Sequence, residues 1–204
     1  MIVEAPTTPD PAPCDRRAAA CVDGSEDQIE QLVLACQGGC GESFAQIVGL
    51  YQERIFNYLL RLTRSPHEAE DLTQETFLKA YRGLQRYARR YSFTTWLFTI
   101  AKRTAINHFR SNRHYEALPE NDDFPSSGAN PSDELASKDD QASLWALAGK
   151  LPPKQREALW LRYGEGLSVA EAAAVMRTRQ IYLRVLLHRG RKQLAAWLNA
   201  KGKR

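Results

Sequence analysis

No run of apolar residues longer than a few positions occurs in these 204 residues, which leaves no stretch long enough for a membrane-spanning helix. The N-terminus shows prolines and acidic residues where a secretory signal needs a basic flank and an apolar core, so the expected location is cytoplasmic, without membrane insertion. Cysteine is scarce: Cys14, Cys21, Cys36 and Cys40 all fall in the first fifth of the chain. That distribution is a poor framework for stapling a small secreted fold, and reduced thiols are the expectation. Nor does it make a metal knuckle. Cys14 and Cys21 are too far apart for a CxxC pair, Gly38 and Gly39 interrupt the helix between Cys36 and Cys40, and Cys36 occupies an apolar position, so neither a metal nor another cofactor is expected. Missing too are a nucleophile beside its base, a glycine loop that cradles phosphate and a catalytic pair of carboxylates. These absences exclude the common enzyme classes.

What is present is an uneven distribution of charge. Between Lys79 and Arg113 there are nine Lys or Arg and no carboxylate, and from Ala172 to Arg204 there are again nine and none. Acidic residues gather elsewhere, above all between Glu116 and Asp140, where eight carboxylates face Lys138 alone. Two basic modules flanking an acidic connector suit a protein that neutralises phosphates at two places on one nucleic acid.

Apolar periodicity is helical throughout and supports no strand. Residues 1–27 mix Pro, Thr, Ala and Asp without period and are expected to form an arm. From there to about residue 113 the pattern predicts a short helix, a glycine turn and a long helix carrying Ile47, Tyr51, Ile55, Tyr58 and Leu59. A third helix starts at Ser65-Pro66, and a fourth runs from Phe93 with Trp96, Leu97, Ile100, Ala101, Ile106 and Phe109 as its buried side. Residues 114–140 have a linker composition of Pro, Ser, Asn and Asp. Residues 141–200 then open with Leu144, Trp145, Leu147 and Leu151 and continue through Pro152-Pro153 into a helix. A Ser168-to-Glu171 capping box starts a short helix, and after a tight turn a longer helix carries Leu183, Leu186, Leu187 and Leu194 on one side. On its other side are Gln180, Arg184, His188 and Arg191. The expected architecture is therefore all-α, two small helical domains joined by an acidic flexible linker, the second being a helix-turn-helix whose last helix enters a groove.

On a helix through Glu70 to Lys79, Ala69, Leu72, Thr76, Ala80 and Leu84 face one way and Asp71, Glu75, Leu78 and Arg82 the other, an acidic face with an exposed leucine suited to docking a protein, and Asp71, Gln74, Glu75 and Leu78 are its candidate contacts. This segment resembles region 2.2 of the sigma-70 family of RNA polymerase sigma factors. Phe93-Thr-Thr-Trp96-Leu97 and Ile100-Ala101 resemble the family's next helix, and Leu151-Pro-Pro-Lys-Gln-Arg-Glu-Ala-Leu with the helix-turn-helix resembles region 4. The absence of further regions between the two domains resembles the extracytoplasmic-function (ECF) subfamily. The resemblance implies that the Asp71 face grips the clamp helices of the largest polymerase subunit, that the second domain docks on the flap, and that an anti-sigma factor restrains the protein until a stress or other signal arrives. It assigns to the minus 10 element Arg86, Arg89, Arg90, Tyr91 and Phe93 of the basic loop, where cations beside aromatic rings can trap unstacked bases, and Lys102, Arg103, Asn107, Arg110 and Arg113 of the helix beyond. It assigns to the minus 35 element Arg177, Arg179, Gln180, Tyr182, Arg184, His188 and Arg191.

Four departures stand out. Arg177 occupies a turn position where the family commonly has Gly or Asn, and Ile181-Tyr-Leu-Arg184 replaces a Gly-Thr-Val-Lys-like run. Asn107 replaces a common Asp and Arg103 a common Asn. They leave the fold expectation intact and the promoter sequence open. The same elements fit two other readings: a helix-turn-helix regulator that binds duplex DNA without polymerase, and a sigma mimic that sequesters an anti-sigma factor, which would have no use for the Lys79-to-Arg113 basic run.

Overall fold

The computed structural model describes residues 25–115 and 139–201. Among them are eight α-helices and no strand. The first, α1 (Glu26–Gln37), stops at Gly38, and Gly39 adopts φ +98°, a conformation that costs glycine least. Helix α2 (Gly41–Thr63) buries Ile47, Tyr51, Ile55, Tyr58 and Leu59 along one stripe and ends where Arg64 turns left-handed at φ 61°. Helix α3 (Pro66–Gly83) follows at once. Its first turn is capped by Ser65, whose side chain accepts from the Glu68 N–H, and Pro66 occupies the position where a missing N–H costs nothing. A 3-10 turn, Leu84–Arg86, leads to the basic loop and then to α4 (Phe93–Tyr115). These helices close on Val33, Leu72, Leu97, Phe98 and Ala101 as well as the α2 stripe, each large side chain contributing about 1.5–3 kcal/mol by its burial.

The second bundle consists of α5 (Asp139–Ala148), α6 (Pro153–Leu159), α7 (Val169–Val175) and α8 (Gln180–Lys201). Helix α6 runs into a π turn, Trp160–Gly164, in which the Trp160 ring lies on Gly164; a Cβ there would meet the ring at 2.8 Å. The capping box read from the sequence is present: Glu171 N–H donates to Ser168 Oγ (3.2 Å) and Ser168 N–H to Glu171 Oε2 (3.0 Å). Helix α8 packs across α6 and α7 through Leu183, Leu186, Leu187 and Leu194. At Gly190 an added Cβ would lie 3.0 Å from Leu159, so this close approach fixes the rotation of α8 about its axis.

The two bundles pack on each other, with α7 against α4. One expectation fails at this seam. Ile106, assigned to the buried side of its helix, is 39% exposed and lines a cleft of about 520 Å³ between the bundles together with Phe109, Trp160, Met176 and Tyr182. Periodicity marks a face as apolar without saying whether it is filled by a neighbour or borders a gap. A second expectation is corrected at Cys40, the residue before α2, which is disulfide-bonded rather than reduced. Clustering in the first fifth of the chain argues against a framework spanning the fold and says nothing of a single crosslink. Cys36 is free and buried, and burial pushes its thiol to about 11, so it stays protonated. Cys14 and Cys21 lie outside the described residues.

Candidate polymerase and nucleic-acid interfaces

Helix α3 turns Ala69, Leu72, Thr73, Thr76, Phe77 and Ala80 inward, which leaves Asp71, Gln74, Glu75 and Leu78 in solvent. Leu78 is 57% exposed and makes an unfilled apolar knob amid the carboxylates. Asp71 meets His67 at 3.3 Å and Glu75 meets Lys79 at 2.6 Å, both one turn apart on the surface. Such pairs contribute only tenths of a kcal/mol, so the face keeps its acidic character for a partner.

The basic loop is held from behind. Gln37 donates to the carbonyl of Leu84 (2.9 Å), and Tyr87 Oη donates to the carbonyl of Tyr91 (2.7 Å), which closes the loop on itself. The Tyr87 ring stands 5.0 Å from Trp96 and 5.7 Å from Phe93. Arg86, Arg90 and Tyr91 are exposed, Arg90 lying over the Tyr91 ring, while Arg89 pairs with Glu30 of α1. Phe93, assigned to DNA on its position in the motif, is only 5% exposed and packs edge-on against Tyr51. Its contribution to the loop is the floor beneath Tyr87 and Trp96. Trp96 itself is half-buried against the core.

On α4, Arg103, Asn107 and Arg110 form an exposed stripe at intervals of four and three. Lys102 does not join it. Its ammonium is turned toward the second bundle and contacts both oxygens of Glu157 at 2.8 Å. The side chain of Arg113 lies outside the described residues.

In the second bundle the turn between α7 and α8 passes through Arg177 at φ 52°, the left-handed conformation for which the family commonly supplies Gly or Asn. Arg177, Arg179, Gln180, Tyr182, Arg184, His188 and Arg191 are all exposed, and all but Arg177 and Arg179 stand on α8. Arg191 reaches back to the Leu187 carbonyl and to Tyr163 Oη. Arg177→Gly is expected to relieve about 1 kcal/mol of backbone strain. Calorimetry should therefore show a raised Tm, while a salt titration of DNA binding loses one cation's contribution.

The contacts between bundles escaped the sequence. Three carboxylates of the second bundle reach the first. Glu157 is buried, accepting from Tyr58 Oη (2.7 Å) as well as pairing with Lys102. Burial and the adjacent Glu157 push the Tyr58 phenol far above its ordinary value, so it remains a donor. Glu165 receives Arg54 Nε at 2.9 Å; burial raises its carboxyl, and the guanidinium partly offsets this. Glu171, already engaged in the α7 cap, accepts with its other oxygen from Ser92 (2.6 Å) and Thr95 (2.9 Å) at the start of α4. Burial alone would raise this carboxyl, but the hydrogen bonds hold it below the usual range. The Arg61 guanidinium lies 3.6 Å above the Trp160 ring, adding a cation–π contact across the same seam. One signal was available: Tyr51 and Tyr58 sit seven apart on a buried stripe, and each buried phenol needs a partner. Tyr51 finds Thr94 of α4 within its own bundle, and Tyr58 finds Glu157 across the seam.

Comparison with known proteins places these elements. Residues 47–115 match the family model Sigma-70 region 2, and residues 141–194 match Sigma-70, region 4. The ECF RNA polymerase sigma factor BldN of Streptomyces coelicolor is 33% identical over 187 residues, an alignment covering 90% of this chain and 70% of the relative. The ECF RNA polymerase sigma factor SigW of Bacillus subtilis is 28% identical over 179 residues, covering 83% of this chain and 96% of the relative. The fold is that of CnrH, solved with the cytosolic domain of CnrY, at a TM-score of 0.60 and 23% identity over 86% of this chain and 99% of that one. The chain belongs to the sigma-70 family, in its ECF branch. Its function is accordingly that of a sigma factor, a transcription initiation subunit that binds RNA polymerase and promoter DNA, and not that of a free-standing helix-turn-helix regulator. Among the described residues no helix is long and apolar enough to cross a membrane.

Proposed function

We propose that this sigma factor distributes its work over three separate surfaces. The α3 face of Asp71, Gln74, Glu75 and Leu78 docks on the clamp helices of polymerase core. The loop of Arg86, Arg89, Arg90 and Tyr91, floored by Phe93 and backed by the Arg103, Asn107 and Arg110 stripe of α4, with Arg113 beyond it, holds the melted minus 10 element. Helix α8 and the turn before it read the minus 35 duplex. The observation that carries this reading is the segregation of charge among elements: exposed Asp71 and Glu75 stand on α3, whereas the loop, the outer stripe of α4 and α8 expose cations and no carboxylate, so a basic protein partner and nucleic acid can be held at once.

The protein performs no covalent step in this scheme and acts in the cytoplasm, polymerisation belonging to the core enzyme. An anti-sigma factor is its natural antagonist, a reading supported by the relatives solved with CnrY and with the anti-sigma factor NepR. Lys102 joins the minus 10 surface only after its pair with Glu157 opens, so full engagement of promoter DNA requires the two bundles to part. Run-off transcription with purified core, on fragments from the gene's own neighbourhood, tests the reading. Specific transcripts that depend on this protein are expected; their absence, with no co-purification with core, would overturn it.

A further inference from the structure

Helix α8 carries an unusual stripe. With Leu183, Leu186, Leu187, Gly190 and Leu194 turned inward, Ile181, Arg184, Val185 and His188 fall at i, i+3, i+4 and i+7 on the outward side. Ile181 is 74% exposed, more than any other large apolar side chain described, and Val185 is 37% exposed. The close approach of Gly190 to Leu159 fixes the rotation of the helix, so this stripe cannot turn inward to bury itself. Its surroundings are cationic: Arg177, Arg179, Arg184 and Arg189 are exposed, form no ion pair with a described carboxylate, and α8 contains no acidic residue. An apolar pair set among unpaired cations fits a polyanion that offers apolar groups at matching depth. In duplex DNA the major groove presents one such group, the C5-methyl of thymine.

We infer that Ile181 and Val185 read thymine methyl groups in the upstream promoter element, with Arg184 between them contacting an adjacent guanine. The inference rests on α8 being the groove-entering helix and adds to that reading the bases it selects. Residues in the first turns of a recognition helix are those that reach base edges, and Ile181 and Val185 occupy the first and second turns of α8. A β-branched side chain loses little rotamer freedom on docking, which suits a contact worth one methyl group.

The test replaces methyl groups on the DNA and leaves the protein intact. Upstream elements are selected from a randomised duplex library with the complex of this protein and polymerase core, and each thymine of the selected element is then replaced singly by deoxyuridine. Two positions are expected at which the missing methyl lowers affinity about fourfold. Ile181→Ser should abolish discrimination between thymine and deoxyuridine at one of them and Val185→Ser at the other, with the salt dependence of binding unchanged. Equal affinity of the unaltered protein for thymine and deoxyuridine at every position would overturn the inference while leaving α8 as the reader. A library that returns no preferred upstream sequence would overturn the reading of α8 itself, and the inference with it.

Discussion

Reversing Asp71 and Glu75 to lysine is expected to weaken binding to polymerase core at least 100-fold and to abolish promoter-specific transcription. Both side chains are well exposed, and among the described residues their ionic partners are neighbours one turn away, so the fold loses tenths of a kcal/mol. The interface loses far more. Two attractive contacts become repulsive at a surface whose partner is read as basic, and like-charge juxtaposition costs several kcal/mol. Because every 1.4 kcal/mol is tenfold, a factor of 100 needs only about 3 kcal/mol from two reversals. Co-purification with core and run-off transcription measure the effect, and circular dichroism confirms that the double variant keeps its helices. A folded double variant that still binds core as tightly as the parent would remove α3 from the docking surface. Leu78→Ala separates charge from packing there, since it deletes the apolar knob and leaves both carboxylates in place.

The contrast between α3 and the seam between bundles explains what the sequence could reveal. The inward and outward faces of α3, the Ser65 cap, the Ser168–Glu171 box and the leucine stripe of α8 are all local, each decided by residues within two or three turns. They were legible because helical period and capping chemistry act at short range. The reach of Glu157, Glu165 and Glu171 across the seam was not, since their partners lie 55 to 111 positions away; nothing near Glu157 or Glu165 in sequence marks them as different from a solvated carboxylate, and the capping box accounts for only one oxygen of Glu171. The pairing of Lys102 with Glu157 was hidden for the same reason. A lysine in a basic run resembles a phosphate contact until the carboxylate of a distant helix is found on it. Phe93 shows the converse: its motif position points to DNA, and its benzyl side chain is packed on Tyr51 in the core.

Glu157→Ala is expected to break the closed packing of the two bundles. The substitution leaves the Lys102 ammonium, with 12% of its side chain exposed, and the Tyr58 phenol facing each other without the carboxylate that satisfied both. Removing one member of a buried ion pair costs about 3–5 kcal/mol, because the surviving charge has lost its compensation and not its desolvation. The chain has a way to avoid most of that cost. Glu157 stands on α6, whereas Tyr58 and Lys102 stand on α2 and α4, so separating the bundles returns the ammonium to water while the helix packing within each bundle is kept. The expected result is therefore an increased radius of gyration in small-angle scattering, with helical content retained, rather than global unfolding. Lys102→Met combined with Glu157→Leu and Tyr58→Phe should restore compaction, since an apolar cluster of similar volume leaves neither an uncompensated charge nor a phenol without its acceptor. Because the open form is also the one in which Lys102 can meet phosphate, the single variant Glu157→Ala should bind forked promoter DNA without core more tightly than the parent. Unchanged scattering and an unchanged Tm in Glu157→Ala would show that the pair does not hold the bundles together, and the other two carboxylates would then have to be tested in turn, beginning with Glu171, which joins the caps of α4 and α7.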